Sequence, residues 1–176
     1  MKLTTKEIVV FAMLGVIMYA SKLILEFAPN VHLLGVFTMA YTIVYRKKAL
    51  YPIYTYVLLN GMFYGFAAWW IPYLYVWALL WGVTLLLVKK LPEQMPKKWQ
   101  SLLYMSVCAV HGFLFGTLYA PVQAILFGLS LKGTIAWIAA GLPWDLIHGV
   151  SNFFCGSLIL PISAMLRLAE RTTEQE

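Results

Sequence analysis

The chain has 176 residues, of which 62% are hydrophobic and 11% charged, with a mean hydropathy of +0.78 and a formal net charge of +6. Soluble domains carry about 25% charged residues, and domains of this size bury only about two-thirds of their surface. This composition excludes an ordinary soluble domain and favours the lipid bilayer as the solvent. The positive charge does not indicate nucleic-acid binding, because the basic residues lie in short clusters between apolar runs.

Six apolar runs predict six membrane-spanning helices. In chain order the predicted spans are 5–27, 31–45, 49–68, 70–88, 100–122 and 144–167, the second being short. The first run has the polarity of a signal peptide, but no convincing small-residue cleavage site follows it, so we expect it to be retained. The predicted fold class is an all-α integral membrane protein, with residues 1–176 forming a single domain.

The distribution of lysine and arginine predicts the orientation of these spans. With the N-terminus in the cytoplasm, the inner side receives eleven basic residues and the outer loops receive only Lys132. We therefore expect both termini in the cytoplasm.

The apolar segment 121–143 is placed on the outer face by this topology. Residues 133–140 are expected to form a short helix lying against that face. Gly141 and Pro143 would end it and let the sixth span begin, since proline is tolerated in the first turn of a helix.

Two glycine pairs with four-residue spacing indicate close helix packing. Gly61 and Gly65 lie in the third predicted span, and Gly112 and Gly116 lie in the fifth. Small residues at this spacing let the backbones of two helices approach each other.

The opening of the sixth span is an acid, an imidazole and an amide on one face of an apolar helix. Asp145, His148 and Asn152 share this face at about 100° per residue. Polar groups inside a span are costly and usually face a cavity or one another. The same outer depth is predicted for Lys22, Glu26, His32, Asn60, Tyr64, Trp70, Tyr73, Trp77 and His111. Together these residues predict one outward-facing pocket with aromatic walls and polar contacts.

Three segments resemble the substrate-binding S components of energy-coupling factor (ECF) transporters. Residues 142–148, LPWDLIH, with SNF at 151–153, are similar to the PFD-x-x-H-x-x-x-N opening of the last helix in that family. The segment RKKAL at 46–50 resembles its basic turn between the second and third helices. The segment APNVHL at 28–33 lies where the family has an outer loop that gates the binding site.

The resemblance implies a protein of the prokaryotic plasma membrane that binds a vitamin or a related micronutrient from outside. It would work with a transmembrane coupling subunit (T component) and two cytoplasmic ATPases. The chain itself has no P-loop pattern, and we expect neither catalysis nor a cofactor. Family members dock on the coupling subunit through small residues of the first helix, often as Ala-x-x-x-Ala. This chain departs from that spacing, and its best candidates are Ala12, Gly15 and Ala20.

Under this reading Asp145, His148 and Asn152 hydrogen-bond the ligand. Trp70, Tyr73 and Trp77 stack on its ring, Asn60 and Tyr64 complete the wall, and the loop around His32 is the lid. These side chains suit a ligand with a flat ring whose edges carry hydrogen-bonding groups. Thiamine-, folate-, pyridoxal-, cobalamin- and deazapurine-like ligands all stay open.

Two other functions also stay open. An intramembrane hydrolase would use His148 or His111 as a base oriented by Asp145, although no serine or cysteine is obviously placed as the nucleophile. A metal-ion carrier would use His32, His111, His148 and Asp145, although the histidines lack a typical ligand spacing.

Overall fold

The computed structural model describes residues 2–92 and 94–174, with side chains to Arg171. Within these ranges the chain forms eight α-helices and no β-strand, so the predicted all-α class is confirmed. The helices are α1 (Thr5–Ile24), α2 (Leu34–Tyr45), α3 (Leu50–Tyr64), α4 (Tyr73–Lys90), α5 (Lys97–Phe113), α6 (Phe115–Phe127), α7 (Leu131–Cys155) and α8 (Ile159–Glu174).

Four helical units of the described residues are long and apolar enough to cross a membrane. They are α1, α4, the near-continuous α5–α6 unit Lys97–Phe127 and the near-continuous α7–α8 unit Leu131–Arg171. Helices α2 and α3 have 12 and 15 residues. At 1.5 Å per residue they are about 18 and 23 Å long, shorter than a hydrocarbon core of about 30 Å. The second and third of the six predicted spans are therefore helices, but helices of less than full membrane length.

The short helix α2 forms the centre of the bundle. It packs against α4 and α8, and nine of its twelve residues are buried. A helix that is apolar on every side is stable only when its neighbours surround it. The hydroxyl of Thr42 donates to the carbonyl of Thr38 at 2.6 Å, so this buried polar group is satisfied inside the helix.

Helices α5, α6 and α7 form a long antiparallel hairpin. Its turn follows Gly128, which has a left-handed backbone conformation with φ +60°. The hydroxyl of Ser130 then accepts a hydrogen bond from the backbone N–H of Gly133 at 3.1 Å and caps α7.

The prediction of a separate outer segment at 121–143 is wrong. Helix α7 begins at Leu131 and continues through Gly141 and Pro143 to Cys155, so no helix begins at 144 and residues 133–140 are not a separate short helix. Proline removes one backbone hydrogen bond, but it is tolerated within apolar helices when neighbouring helices hold the segment. Here α7 packs along both α5 and α6, which provides that support.

One of the two glycine pairs has the predicted packing role. A Cβ atom on Gly112 would lie 2.9 Å from the Cα atom of Gly149, so α5 and α7 touch through their backbones at this point. The other pair does not pack a helix. Gly61 is covered by Phe66 and Trp70, and Gly65 ends α3 with φ +89°.

Basic residues gather at one end of the bundle, which we call the basic end. The ammonium group of Lys48 forms an ion pair with Glu7, which joins the turn after α2 to the start of α1. The indole of Trp81 on α4 donates to the carbonyl of Arg46 at 3.1 Å. The clustering of charge at one end agrees with the predicted topology; the side of the membrane that this end faces stays a prediction.

Candidate functional site

Five aromatic and imidazole rings meet toward the opposite end of the bundle. We call His32, Trp77, His111, Phe115 and His148 the histidine–tryptophan cluster. The ring centroid of His148 lies 4.5 Å from that of His32 and 4.7 Å from that of Phe115. The Trp77 centroid lies 5.6 Å from that of His111 and 6.1 Å from that of His32. Four helices and the segment before α2 therefore contribute to one cluster.

The rings of this cluster carry polar atoms that have no partner. Trp77 and His148 are each 1% exposed. The Nε1 atom of Trp77, the Nε2 atom of His148 and the Nδ1 atoms of His32 and His111 are buried without a hydrogen bond. Buried polar groups in proteins are nearly always hydrogen-bonded, and each exception calls for an explanation. Four such atoms in contacting rings are typical of a site that a polar ligand or water completes.

The hydrogen bond of His111 defines which of its nitrogens is available. Its Nε2 lies 3.2 Å from the carbonyl oxygen of Val76 and must donate to it, because a carbonyl can only accept. In the neutral ring Nδ1 is then an acceptor without a partner. The Nε1 atom of Trp77, in contrast, can only donate. The cluster thus offers both hydrogen-bonding polarities.

The segment 25–33 between α1 and α2 covers the cluster. The hydroxyl of Ser151 on α7 lies 3.0 Å from the carbonyl oxygen of Asn30 and 3.0 Å from that of His148 in its own helix, so it can donate to the covering segment. Asn30 has a positive φ of 60°, a conformation that asparagine tolerates better than most residues. This anchor holds His32 against His148, and burial there lowers the pKa of His32 to about 4. The predicted lid residue is therefore neutral near pH 7.

Tyrosines continue the aromatic surface away from Trp77. Tyr73 lies edge-on to Trp77, with centroids 5.8 Å apart, and stacks on Tyr56 at 6.3 Å. The hydroxyl of Tyr56 is a further buried polar atom without a partner. Trp70 lies apart from this group, because its Nε1 donates to the carbonyl of Val57 at 2.8 Å and its ring meets Phe66.

A second polar group lies at the edge of the site. The ammonium of Lys22 donates to the Oδ1 atom of Asn60 at 2.9 Å and lies 3.7 Å above the ring centroid of Tyr64. The Tyr64 hydroxyl donates to Glu26 at 3.0 Å. Asn60 is fully buried, and its Nδ2 has no partner. Lys22 and Glu26 are therefore linked through Tyr64.

The three polar residues of α7 have different surroundings. The carboxylate of Asp145 accepts from the backbone N–H of Gly116 at 3.0 and 3.1 Å, which satisfies an N–H at the start of α6. Asn152 donates through Nδ2 to the carbonyl of Cys108 at 3.2 Å and keeps a free Oδ1. Only His148 joins the cluster directly. A role of Asp145 and Asn152 in ligand binding stays a prediction.

The two alternative functions find little support in this geometry. No hydrogen bond joins Asp145 to His148 in the described part of the chain, and the carboxylate accepts from the backbone N–H of Gly116 instead. Among the described side chains of residues 2–92 and 94–171, no group of three histidine, cysteine, aspartate or glutamate residues is arranged to hold a metal ion.

The candidate docking residues of α1 lie on different faces. Ala12 is exposed and Ala20 is half-buried. Gly15 instead lies in the contact with α3, where a Cβ atom would come within 2.5 Å of Thr55. Gly15 therefore packs against α3 within the protein, and it does not belong to an external docking face.

Sequence reasoning missed two contributors to the site, and Tyr56, which has helical spacing with Asn60 and Tyr64, was not predicted as a site residue. Phe115 and Tyr56 are in ring contact with cluster residues, and Ser151 anchors the covering segment. Phe115 follows His111 by four positions in the near-continuous α5–α6 unit. Residues at this spacing lie on the same side of a helix, and this pattern in the sequence could have identified Phe115. No sequence signal indicated the anchoring role of Ser151, because the carbonyl of Asn30 lies 121 positions away in the chain.

Comparison of the chain with protein-family models, curated proteins and solved structures found no match.

Proposed function

We propose that this chain is a membrane-embedded binding protein for a small ring-containing molecule and serves as the substrate-specificity subunit of an ECF-type transporter. The observation that carries the proposal is the set of unpaired buried polar atoms in His32, Trp77, His111 and His148. A ligand with hydrogen-bonding edges would satisfy them and replace water at low cost.

The chemistry of the cluster favours a heterocycle. Its ring faces offer stacking surfaces, the indole of Trp77 offers a donor and Nδ1 of His111 offers an acceptor. Lys22 brings a cationic group to the edge of the site, beside Asn60. A flat ring with donor and acceptor edges and an anionic or strongly polar substituent fits this arrangement. Vitamins and related micronutrients are ligands of this class.

Binding would require the segment 25–33 to move. Trp77 and His148 are almost completely buried, and His32 lies directly on His148. The anchor between Ser151 and Asn30 is a single hydrogen bond, whose net worth is about 1 kcal/mol. A hydrogen bond of this strength favours the position in which the segment covers the cluster, but it can break so that the segment moves away.

Transport would require partners that hydrolyse ATP, since the sequence of this chain has no P-loop pattern. We propose a T component and two cytoplasmic ATPases, with the protein in the prokaryotic plasma membrane. The exposed face of α1 that includes Ala12, Met13 and Val16 is the candidate docking surface. Small and aliphatic residues suit a helix–helix contact within lipid.

Equilibrium binding to the purified full-length protein tests the proposal. Thiamine, pyridoxal, folate, cobalamin and a deazapurine base are titrated by calorimetry, with submicromolar binding of one of them as the expected result. Trp77→Phe removes the indole donor and should weaken that binding roughly tenfold. Trp99→Phe is the matched control, because Trp99 is exposed at the basic end.

Two outcomes would contradict the proposal. One is that none of the five compounds binds with submicromolar affinity. The other is that Trp77→Phe and Trp99→Phe bind the ligand equally well. Copurification with a coexpressed T component, and its loss in Ala12→Trp, tests the transporter assignment separately.

A further inference from the structure

A cavity of about 550 Å³ at the basic end is not used by the proposed transport site. Its wall is formed by Arg46, Lys47 and Lys48 from the turn after α2 and by Lys89 from the end of α4, and Tyr45, Leu85 and Val88 complete it. We propose that this cavity binds the phosphate headgroup of an anionic phospholipid.

The cationic side of the cavity has more positive charge than the protein neutralises. Lys48 pairs with Glu7. Among the described side chains of residues 2–92 and 94–171, no carboxylate lies within 4.0 Å of the charged groups of Arg46, Lys47 or Lys89. Basic groups that converge between helices near a membrane surface attract anionic headgroups, and each contributes measurably to affinity. Three such cations around one cavity provide hydrogen-bond donors and positive charge for a phosphate group.

The turn that carries these cations is held in a defined position. Arg46 has a positive φ of 55°, which is costly for a residue other than glycine. Its carbonyl accepts the indole N–H of Trp81 from α4 at 3.1 Å. This bond links the turn to the helix that supplies Lys89. The two sources of positive charge are therefore arranged before any ligand arrives, which lowers the cost of binding.

The remaining lining distinguishes a phospholipid from free phosphate. Leu85 and Val88 lie on the last turns of α4, a helix apolar enough to cross a membrane, and they form an aliphatic side of the same cavity. Tyr45 and Trp81 lie beside it, as aromatic residues commonly do at the boundary between lipid and water. A molecule with a phosphate at one end and an acyl chain at the other matches both sides. Inorganic phosphate matches only the cationic one.

Lipid binding to the intact protein in nanodiscs and in detergent provides the test. Phosphatidylglycerol, phosphatidylcholine and inorganic phosphate at equal ionic strength are compared by native mass spectrometry and by the thermal unfolding midpoint. We expect retention of phosphatidylglycerol and a raised midpoint, with no comparable effect from phosphatidylcholine or inorganic phosphate.

A pair of double variants separates the cavity from general surface charge. Lys47→Gln with Lys89→Gln removes two cations of the cavity, both of which are exposed and make no ion pair in the described part of the chain. It should weaken phosphatidylglycerol binding roughly tenfold or more. Lys97→Gln with Lys98→Gln is the matched control, because it makes the same charge change on α5 outside the cavity. That control should lose less than about threefold.

The alternative results overturn the proposal. Equal losses in the two double variants would mean that lipid responds to general charge and not to this cavity. Equal binding of inorganic phosphate and phosphatidylglycerol would make it a free-phosphate site. If the first double variant does not fold, Lys89→Gln alone should weaken binding roughly fivefold, and an unchanged affinity there would also refute the site. The outcome is independent of vitamin binding, since the cluster lies toward the other end.

Discussion

The imidazole of His148 lies against the imidazole of His32, with ring centroids 4.5 Å apart and planes inclined at 72°. His148 belongs to the middle of α7, and His32 belongs to the segment that connects α1 with α2. The contact therefore closes a covering segment onto a buried helix face.

Ser151→Ala should loosen this covering segment. The change removes the hydrogen bond to the carbonyl of Asn30, so the free energy of unfolding should fall by about 1 kcal/mol. Amide hydrogen exchange of residues 28–32 should become faster. Ser157→Ala is the control, because the hydroxyl of Ser157 bonds only to the carbonyl of Phe154 in its own helix region. Equal exchange rates in the two variants would show that Ser151 does not anchor the segment.

Gly112→Ala should destabilise the hairpin. The new methyl group would lie 2.9 Å from backbone atoms of Gly149, and backbone cannot give way as a flexible side chain can. Overpacking of this kind costs about 1–3 kcal/mol. Gly82→Ala is the matched control, since no atom lies within 4 Å of the new Cβ there. Thermal unfolding in detergent should show a lower midpoint for the first variant only; a similar midpoint for both would contradict the close α5–α7 contact.

Asp145→Ala should lower stability through the start of α6. It leaves the backbone N–H of Gly116 without its acceptor, a loss similar to that of a helix cap, about 1 kcal/mol. Asp145→Asn keeps an acceptor oxygen and should lose less. The measurements are the unfolding midpoint and ligand affinity for both variants. If affinity falls strongly in Asp145→Asn while its midpoint is unchanged, the residue acts on the ligand and not on α6.

The stability of the protein should depend on the protonation of His32. Its pKa is lowered by burial to about 4, below the ordinary value of about 6.5. As the pH falls from about 6.5 to about 4, the unfolded chain takes up a proton at this site before the folded chain does. The free energy of unfolding should therefore decrease across this range. Denaturation of the wild type and of His32→Gln at several pH values measures the difference. A pH slope that is identical in both proteins would exclude the contribution of His32.

Several features of the fold follow from local sequence patterns. The length and apolarity of the runs predict α1 and α4 closely, and the charge distribution predicts that Lys48 and Lys89 lie at one end. Helical periodicity predicts that His148 and Asn152 share a face, and both are buried as expected. These patterns are reliable because helix hydrogen bonds are local and apolar side chains must avoid water.

Other features depend on packing between distant segments. Pro143 predicts a helix boundary from its own chemistry, yet α7 passes through it because α5 and α6 support the helix on one side. Gly15 looks available for a partner, yet it packs against Thr55 of α3. Asp145 and His148 look like a catalytic pair, yet the carboxylate bonds to Gly116. In each case a neighbour from elsewhere in the chain decides the role.

The apolar runs and the positions of lysine and arginine predict a helical protein that is basic at one end, and helical spacing predicts the polar face of residues 145–152. Which of those polar groups meet depends on how the helices pack. Helix packing places His148 against His32, which also contacts Trp77, directs the carboxylate of Asp145 to the backbone N–H of Gly116, and forms the cationic cavity beside Lys89. Hydrophobicity and periodicity act within a helix, whereas ring contacts and long-range hydrogen bonds depend on how whole helices pack.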